Sequence, residues 1–546
     1  MRSIEAPFVV APPAGARIRT RLRLTKADEV VVRAVGDHLG RLASSDLARR
    51  CRLGRHDDLR TIRKHALTGP SSSRWAGAIT RTSDDQWQRA MANLADRRVA
   101  LRRAIRTIRS RLVVPVGSRQ GRVRGYANRS ELFAKRRRLQ HLEAELLEVE
   151  ARLARTRISV CRGGRRLAKQ RHALDQAKVS EQQWRARWKA ERMFLTADGE
   201  AAKPWGNETI RVHPDQHWLE LRLPNPLAHL SNTPGRAATY RLACPIHFTH
   251  RSDEWAAQAA TGAVRYDVTF DPVRARWYLA ASWRLPTVQP PPLHDLRRHR
   301  ALGIDLNADH LACWVLDAAG NPVGPPHTIP LQLDNLSAGD RHGHIRAAIT
   351  AAVGLAKLAG CRSLVVENLD FAITRATGRE TLGRGRQGKR FRRTVAGLPT
   401  RQFRELLVGM AANHQLWVIA VDPGWTSRWG QHYWWAPLAH STKPYVIVTR
   451  HHAAAVVIAR RGLGVGARRR RGVPGDDQRI VAGELPARPS RQRLGRQGPG
   501  PPGGQRAAAA PRRIRLAEWS RLGDQVVQDR SGPPWQDKVL HTWQER

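Results

Sequence analysis

The sequence predicts a multidomain α+β protein, and three patterns predict it. Between residues 84 and 157 apolar residues recur at three- and four-residue spacing. Between 207 and 285 they alternate with polar ones, and from 301 to about 465 short apolar runs alternate with helical stretches. These are the signatures of packed helices, half-buried strands, and a mixed sheet covered by helices. At 546 residues the chain is long enough for two or more cores.

In chain order, Ser83 and Gln86 form a capping-box pattern ahead of Leu94, Leu101, Ile105, Ile108 and Leu112, which predicts a helix over 84–113. A second helix is expected at 129–157, where Leu132, Leu139, Leu142, Leu146, Val149 and Leu153 follow heptad-like spacing. The joining segment PVGSRQGRVRGYAN carries Gly and Arg but little to bury, so the pair reads as an antiparallel hairpin with a basic tip. A coiled-coil dimer seam is the alternative for the same leucines. Ser180 and Gln183 repeat the capping box for a helix at 180–194, whose Trp184 and Trp188 share one face as packing residues.

Period-two alternation then takes over. It appears in His217–Leu223, in Val264, Tyr266, Val268 and Phe270, and in Trp277, Leu279, Ala281 and Trp283, the last two runs flanking DPVRA as a hairpin. A small antiparallel barrel or sheet follows, a common nucleic-acid platform. The prolines of PTVQPPPLHDLRRHR mark 286–300 as a linker. Beyond it, strands are expected at 302–306, 310–316, 363–367 and 416–421, with helices at 345–358 and 400–413 and a last one in TRHHAAAVVIARRGLG (449–464). From 466 to 546 Pro, Gly and Arg occur without periodicity, the composition of a disordered basic tail.

Composition restricts function. Lys and Arg number 95 against 46 Asp and Glu, a net charge of +49. Self-repulsion on that scale calls for a polyanionic partner, and the planar guanidinium grips phosphate. Biased base composition can enrich Arg, Ala, Gly and Pro without function, but it does not deplete acids so consistently. No run of about 18 apolar residues is present, which argues against a membrane span, and the N-terminus lacks a signal-peptide pattern. Cys51, Cys161, Cys244, Cys313 and Cys361 are scattered without a CxxC pair, pointing to a reducing, cytoplasmic location and away from a cysteine-built zinc site.

Two carboxylates stand out. Asp305 ends the apolar strand of GIDLN and Glu367 ends that of SLVVENLDF, so both fall at one edge of the sheet. Paired metal ions about 4 Å apart require such convergent oxygen ligands. Together with VIAVDPGWTSRWG and HHAAAVVIARRGLG, these segments resemble the TnpB family of insertion-sequence proteins and, more distantly, type V CRISPR effectors, over about 303–464.

The resemblance implies an RNase H-like, RuvC-type nuclease domain over 301–465, with Asp305 and Glu367 as catalytic acids binding Mg²⁺ or Mn²⁺. It also implies a β-barrel-like wedge domain over 207–285, to which 1–83 is expected to belong, and a helical recognition region over 84–206. Expected partners are a guide RNA and a double-stranded DNA target; the oligomeric state is left open.

Two departures qualify it. The family often follows Pro-x-x-Thr-Ser with a cysteine zinc hairpin; here Pro423-Gly-Trp-Thr-Ser427 runs into RWGQHYWWAP, so no zinc is expected. Trp429, Tyr433, Trp434 and Trp435 offer an apolar replacement, and His432 and His440 read as ordinary histidines. The third acidic motif, Asp-x-Asn-Ala-Ala, maps onto Arg450-His451-His452-Ala453-Ala454, which places Arg450 where an acid belongs. A guanidinium there is expected to pair with the carboxylates and compete with metal, weakening cleavage. His451, His452 and Asp422 are the candidate surrogates, an imidazole suiting Mn²⁺ better than Mg²⁺. Asp309 and Asp370 read as turn or capping residues.

Between the second motif and the next helix, 376–395 is too rich in Gly and Arg to pack. It reads as a lid touching a phosphate backbone through Arg379, Arg384, Arg386, Lys389, Arg390, Arg392 and Arg393, with a plain solvated insertion as the alternative. The favoured expectation is an RNA-guided DNA-binding protein of a mobile element with weak or lost cleavage. A guide-independent transposase or recombinase and a non-catalytic RNA-binding protein are the competing classes.

Overall fold

The computed structural model describes residues 4–55, 59–121, 123–235, 237–333, 336, 338–369, 386, 400–442 and 446–467. Residues 13–288 form one compact unit; 4–12, 289–369 and 400–467 form a second.

In the first unit the helix Lys26–Leu53 opens with a capping box between Thr25 and Asp28. The long helix Ser73–Leu112 begins at Ser72, well before the expected start at 84. The Ser83 box misleads because Ser83 and Asp84 are buried mid-helix. Asp84 is held by Arg50 at 2.7 Å and Arg63 at 2.5 Å, and Arg63 also binds Asp46 at 2.8 Å. Polar residues that look like a terminus are here the satisfied centre of a buried ion network. The helix Arg129–Arg155 starts at Asn128, as expected. Leu101, Ala104, Ile105 and Ile108 pack on Leu142 and Val149, so the heptad-like seam closes within one chain. A two-stranded ribbon, Arg119–Gln120 with Val123–Arg124, forms the tip. Trp184 is buried and stacks on Trp188 with ring centroids 5.6 Å apart, a packing face.

The alternating segments form two open sheets over a shared core rather than a closed barrel. One orders Gly15–Leu22, Arg276–Arg284, Arg265–Asp271 and Thr196–Ala197; the other joins Ile210–Val212, Leu219–Arg222 and Thr239–Arg241. The stretch 1–83 therefore does not fall together. Gly15–Leu22 pairs with Arg276–Arg284, whereas Phe8–Val10 pairs with Trp417–Val421 in the second unit. Arg17, Arg19 and Arg21 alternating with Ala16, Ile18 and Leu22 carried the signal for that strand.

The second unit is built on a six-stranded sheet. Its order is Phe8–Val10, Trp417–Val421, Ser363–Glu367, Ala301–Leu306, His310–Leu316, Pro322–Pro330. The three strands Trp417–Val421, Ser363–Glu367 and Ala301–Leu306 run parallel, and His310–Leu316 is antiparallel to both its neighbours. The expected linker is partly ordered, since Leu293–Leu296 makes one helical turn and Leu296 is buried.

Alternation assigns the sheet's faces. Leu302, Ile304, Leu364, Val366 and Val418 join a core with Ile345, Ile349, Phe403 and Leu407, from the helices Ala338–Leu358 and Thr400–Ala412. Ala301, Val365, Ile419 and Val421 face the opposite way, against Ala453, Val456, Val457 and Leu463 of the helix Arg450–Leu463. Gly303 sits on that second face. A Cβ there would lie 2.1 Å from the Ala455 carbonyl oxygen, so the helix backbone rests directly on the strand. On its other side the helix meets Gly430, where a Cβ would lie 2.6 Å from the Ala454 nitrogen. Small residues here set a backbone distance, and Asp305 and Glu367 share the face that the helix presses on.

Gly303→Ala is expected to cost about 1–3 kcal/mol of stability through overpacking, measured as a lower urea midpoint. An unchanged midpoint would show that the helix can move away from the strand.

Candidate functional site

The strand register brings the two acids level. Ile304 is opposite Val366 in the parallel pair, and Asp305 and Glu367 are the next residue on each strand. Asp305 is buried, and its Oδ2 accepts from Asn307 Nδ2 at 3.1 Å and from His451 Nδ1 at 3.0 Å. The Thr426 hydroxyl donates to Glu367 Oε1. Burial, followed by the charge of Asp305, pushes the Glu367 carboxyl up to about 8, with the Thr426 hydrogen bond and Arg461 opposing. The pair thus carries more negative charge than its surroundings neutralise.

The helix Arg450–Leu463 supplies the third group, and it is not the one expected. Thr449 and His452 form a reciprocal capping box: Thr449 Oγ1 accepts from His452 N at 3.3 Å, and Thr449 N donates to His452 Nδ1 at 3.1 Å. That box fixes the rotation of the first turn. Successive residues sit about 100° apart around a helix, so turning 452 inward leaves 451 towards Asp305 and 450 outward. Arg450 is exposed and, among the described residues, makes no ion pair. The expected pairing of its guanidinium with Asp305 and Glu367 is not present among the described residues.

The surrogates separate in the same way. His452 is consumed as a cap, with Nε2 2.9 Å from the Thr328 hydroxyl, and burial lowers it to about 4. Asp422 is buried; its Oδ2 accepts from Glu5 N at 3.1 Å and its Oδ1 from Gly424 N at 2.6 Å, so it serves as a backbone anchor. His451 hydrogen-bonds Asp305 and has the His310 ring 5.3 Å away, while the charge of Asp422 acts on Glu367. Asp309 pairs with His310 at 2.7 Å beside the strand turn.

Of the expected lid, Arg386 is described, as an exposed residue in helical conformation. Arg379, Arg384, Lys389, Arg390, Arg392, Arg393 and Asp370 lie outside the described residues. Tyr433 and Trp434 are buried against the helix Arg450–Leu463, while His432 and His440 are exposed. Arg460 and Arg461 lie over the rings of Trp434 and Trp429, at 4.7 and 5.2 Å. All five cysteines are free. No helix among the described residues is long and apolar enough to cross a membrane.

Sequence reading missed Thr426, Asn307 and Arg461. The Thr of Pro423-Gly-Trp-Thr-Ser427 was the available signal for the first. Arg461 Nη1 donates to the Asp422 carbonyl and Nη2 to the Gly424 carbonyl at 2.9 Å, tying the 422–426 turn to the helix.

The donor set fits a divalent cation in a limited sense. Two convergent carboxylates with unbalanced charge suit a hard cation. Among the described residues, however, no group of three or more His, Cys, Asp or Glu side chains is arranged to hold one. His451 is hydrogen-bonded to Asp305, and Asp422 accepts from the backbone of Glu5 and Gly424.

No family model and no curated protein matches the chain. Solved structures do match. One is T. thermophilus RuvC in complex with a Holliday junction substrate, 15% identical, covering 30% of this chain and 91% of that one, with a TM-score of 0.22. Another is a Cas12f1–sgRNA–target DNA complex, 9% identical, covering 82% of this chain and 99% of that one, with a TM-score of 0.30. Likeness at this level does not assign chemistry, which the side chains must supply.

The capping histidine makes stability depend on pH. With His452 lowered from 6.5 to about 4, the unfolded chain takes up a proton that the folded chain refuses, so stability falls as pH drops from about 6.5 towards 4. His452→Gln is expected to flatten that part of the profile in urea melts between pH 7.5 and 4.5; an identical slope in both proteins would contradict the assignment.

Proposed function

We propose that the chain is an RNA-guided DNA-binding protein of a mobile element, TnpB-like, whose RuvC-type endonuclease site cuts weakly. The observation that carries it is the meeting of Asp305, Glu367 and His451 on one face of the sheet. The sheet places an antiparallel second strand beside the first and two parallel strands on the other side, which supports the RNase H-like reading.

Asp305 and Glu367 would hold the divalent cation, which when bound activates water and offsets charge on the leaving oxygen. The residues prepare the site in separate ways. Asn307 and His451 fix the rotamer of Asp305, and Thr426 fixes Glu367. His451 Nδ1 hangs from Cβ through Cγ, as an aspartate oxygen does. It therefore reaches where a third carboxylate would reach and brings no negative charge. Loss of that charge, rather than intrusion of Arg450, is the reason cleavage is weak.

The net charge of +49 supports the nucleic-acid reading, since the backbone term dominates such affinity. Sequence choice would come from guide pairing, with the protein holding the heteroduplex and reading flanking DNA.

RNA that co-purifies with the full chain should contain one dominant species with a constant scaffold and a variable end; bulk cellular RNA would refute guidance. For cleavage, His451→Asp is expected to raise metal-dependent nicking of target DNA on the order of tenfold, and Asp305→Ala to abolish it. Arg450→Asp should stay near the parent level. Rescue by Arg450→Asp but not by His451→Asp would restore the guanidinium explanation.

A further inference from the structure

One aromatic residue beside the site is used by neither the core nor the acids. Trp425 precedes Thr426, whose hydroxyl donates to Glu367. Its backbone is left-handed, φ 68° and ψ 2°, a conformation that bulky residues rarely adopt. It is 37% exposed. The Arg428 guanidinium lies 5.5 Å from its ring centroid, and among the described residues no other ring or cation contacts the indole.

The surrounding turn is built to hold this arrangement. Arg461 donates to the carbonyls of Asp422 and Gly424, Gly424 N donates to Asp422 Oδ1 at 2.6 Å, and the next residue but three, Trp429, packs with the core. A strained backbone persists only when its neighbours over-determine it, and such strain clusters at functional sites. Here the pinned turn presents a large flat ring and a cation to solvent within one residue of a Glu367 contact. Trp425 is only partly covered, at 37% exposure, and does not join the core cluster that holds Trp429 and Trp434.

We propose that Trp425 is a stacking platform for an unpaired base of the DNA strand whose phosphate reaches Asp305 and Glu367, with Arg428 beside it for a flanking phosphate. Every base offers a π-face, so stacking on tryptophan grips a strand without reading its sequence. The guanidinium adds cation–π support to the ring and charge towards the backbone. An unpaired base next to the acids would fix the register of the strand in the site. The proposal rests on the nucleic-acid-cleaving reading above and deepens it: the substrate at this point is single-stranded.

The test uses the full chain in EDTA, so that it reads binding without cutting. Single-stranded DNA carrying 5-iododeoxyuridine at successive positions is photocrosslinked, and the adducts are mapped by mass spectrometry. Affinity is measured at fixed salt for the parent, Trp425→Gly and Trp425→Phe, with intact oligonucleotide and with one abasic at the crosslinked position. Adducts are expected on Trp425. Trp425→Gly should bind the intact strand about tenfold more weakly and melt no lower than the parent, because glycine accepts φ 68°. Trp425→Phe should recover most of the affinity, and the abasic strand should bind the parent and Trp425→Gly alike.

Undiminished affinity in Trp425→Gly, equal losses on intact and abasic strands, or adducts confined to other segments would overturn the proposal. A lower melting temperature for Trp425→Gly would make the residue structural. A protein that stacks a base but never cuts, and one that cuts without stacking, give different results across this assay and the nicking assay.

Discussion

Everything at the site depends on one close approach: the backbone of the helix Arg450–Leu463 resting on Gly303. A side chain at 303 would collide with the Ala455 carbonyl. Residues Ala453, Ala454 and Ala455 are fully buried, and so are Val456, Val457 and Ile458. Where Gly303 meets the Ala455 carbonyl the height of the helix above the strand is set by backbone contact, and Val456, Val457 and Leu463 pack on the sheet around it. The Thr449 and His452 box then fixes which first-turn residue faces inward. A histidine meets the first acid and the arginine before it meets solvent.

A second constraint is electrostatic. Glu367 is pushed up to about 8 by burial and by Asp305, so two carboxylates are held together without enough positive charge to satisfy them. Of the buried cations on this helix, Arg460 and Arg461, the second offsets part of the charge on Glu367. Both donate to backbone carbonyls, Arg460 to those of Gly320 and Gly466 and Arg461 to those of Asp422 and Gly424. These bonds join helix to loop, while Glu367 stays raised by burial and by Asp305. The same Arg461 pins the turn that exposes Trp425, so the sheet edge, the helix and the strained tryptophan form one mechanical assembly.

Much of this was legible in the sequence. The apolar runs ending in Asp305 and Glu367 located both acids, because a strand two residues per repeat deep in apolar side chains has only one way to present a terminal carboxylate. The leucines of 129–155 located the helical hairpin, whose seam closed internally. The start of Ser73–Leu112 was not legible, since a buried ion pair and a helix cap use the same residue types. The choice between barrel and sheet was not legible, because alternation reports that a strand has one buried face and says nothing of whether its sheet closes. On the last helix the motif put Arg450 at the third-acid position, and the residue hydrogen-bonded to Asp305 is His451. Motif spacing in RHHAA could not decide between Arg450 and His451, whereas the reciprocal hydrogen bonds of Thr449 and His452 do.

We propose that Asp305 and Glu367 would hold one cation, with His451 in place of a third acid. Crystals of the full chain soaked in Mn²⁺ and measured at the manganese edge test it directly. The expected result is a single anomalous peak at the Asp305 and Glu367 carboxylates, with Arg450 still turned to solvent. Two peaks about 4 Å apart, a peak held by Asp422 or His452, or none at this sheet edge would contradict it.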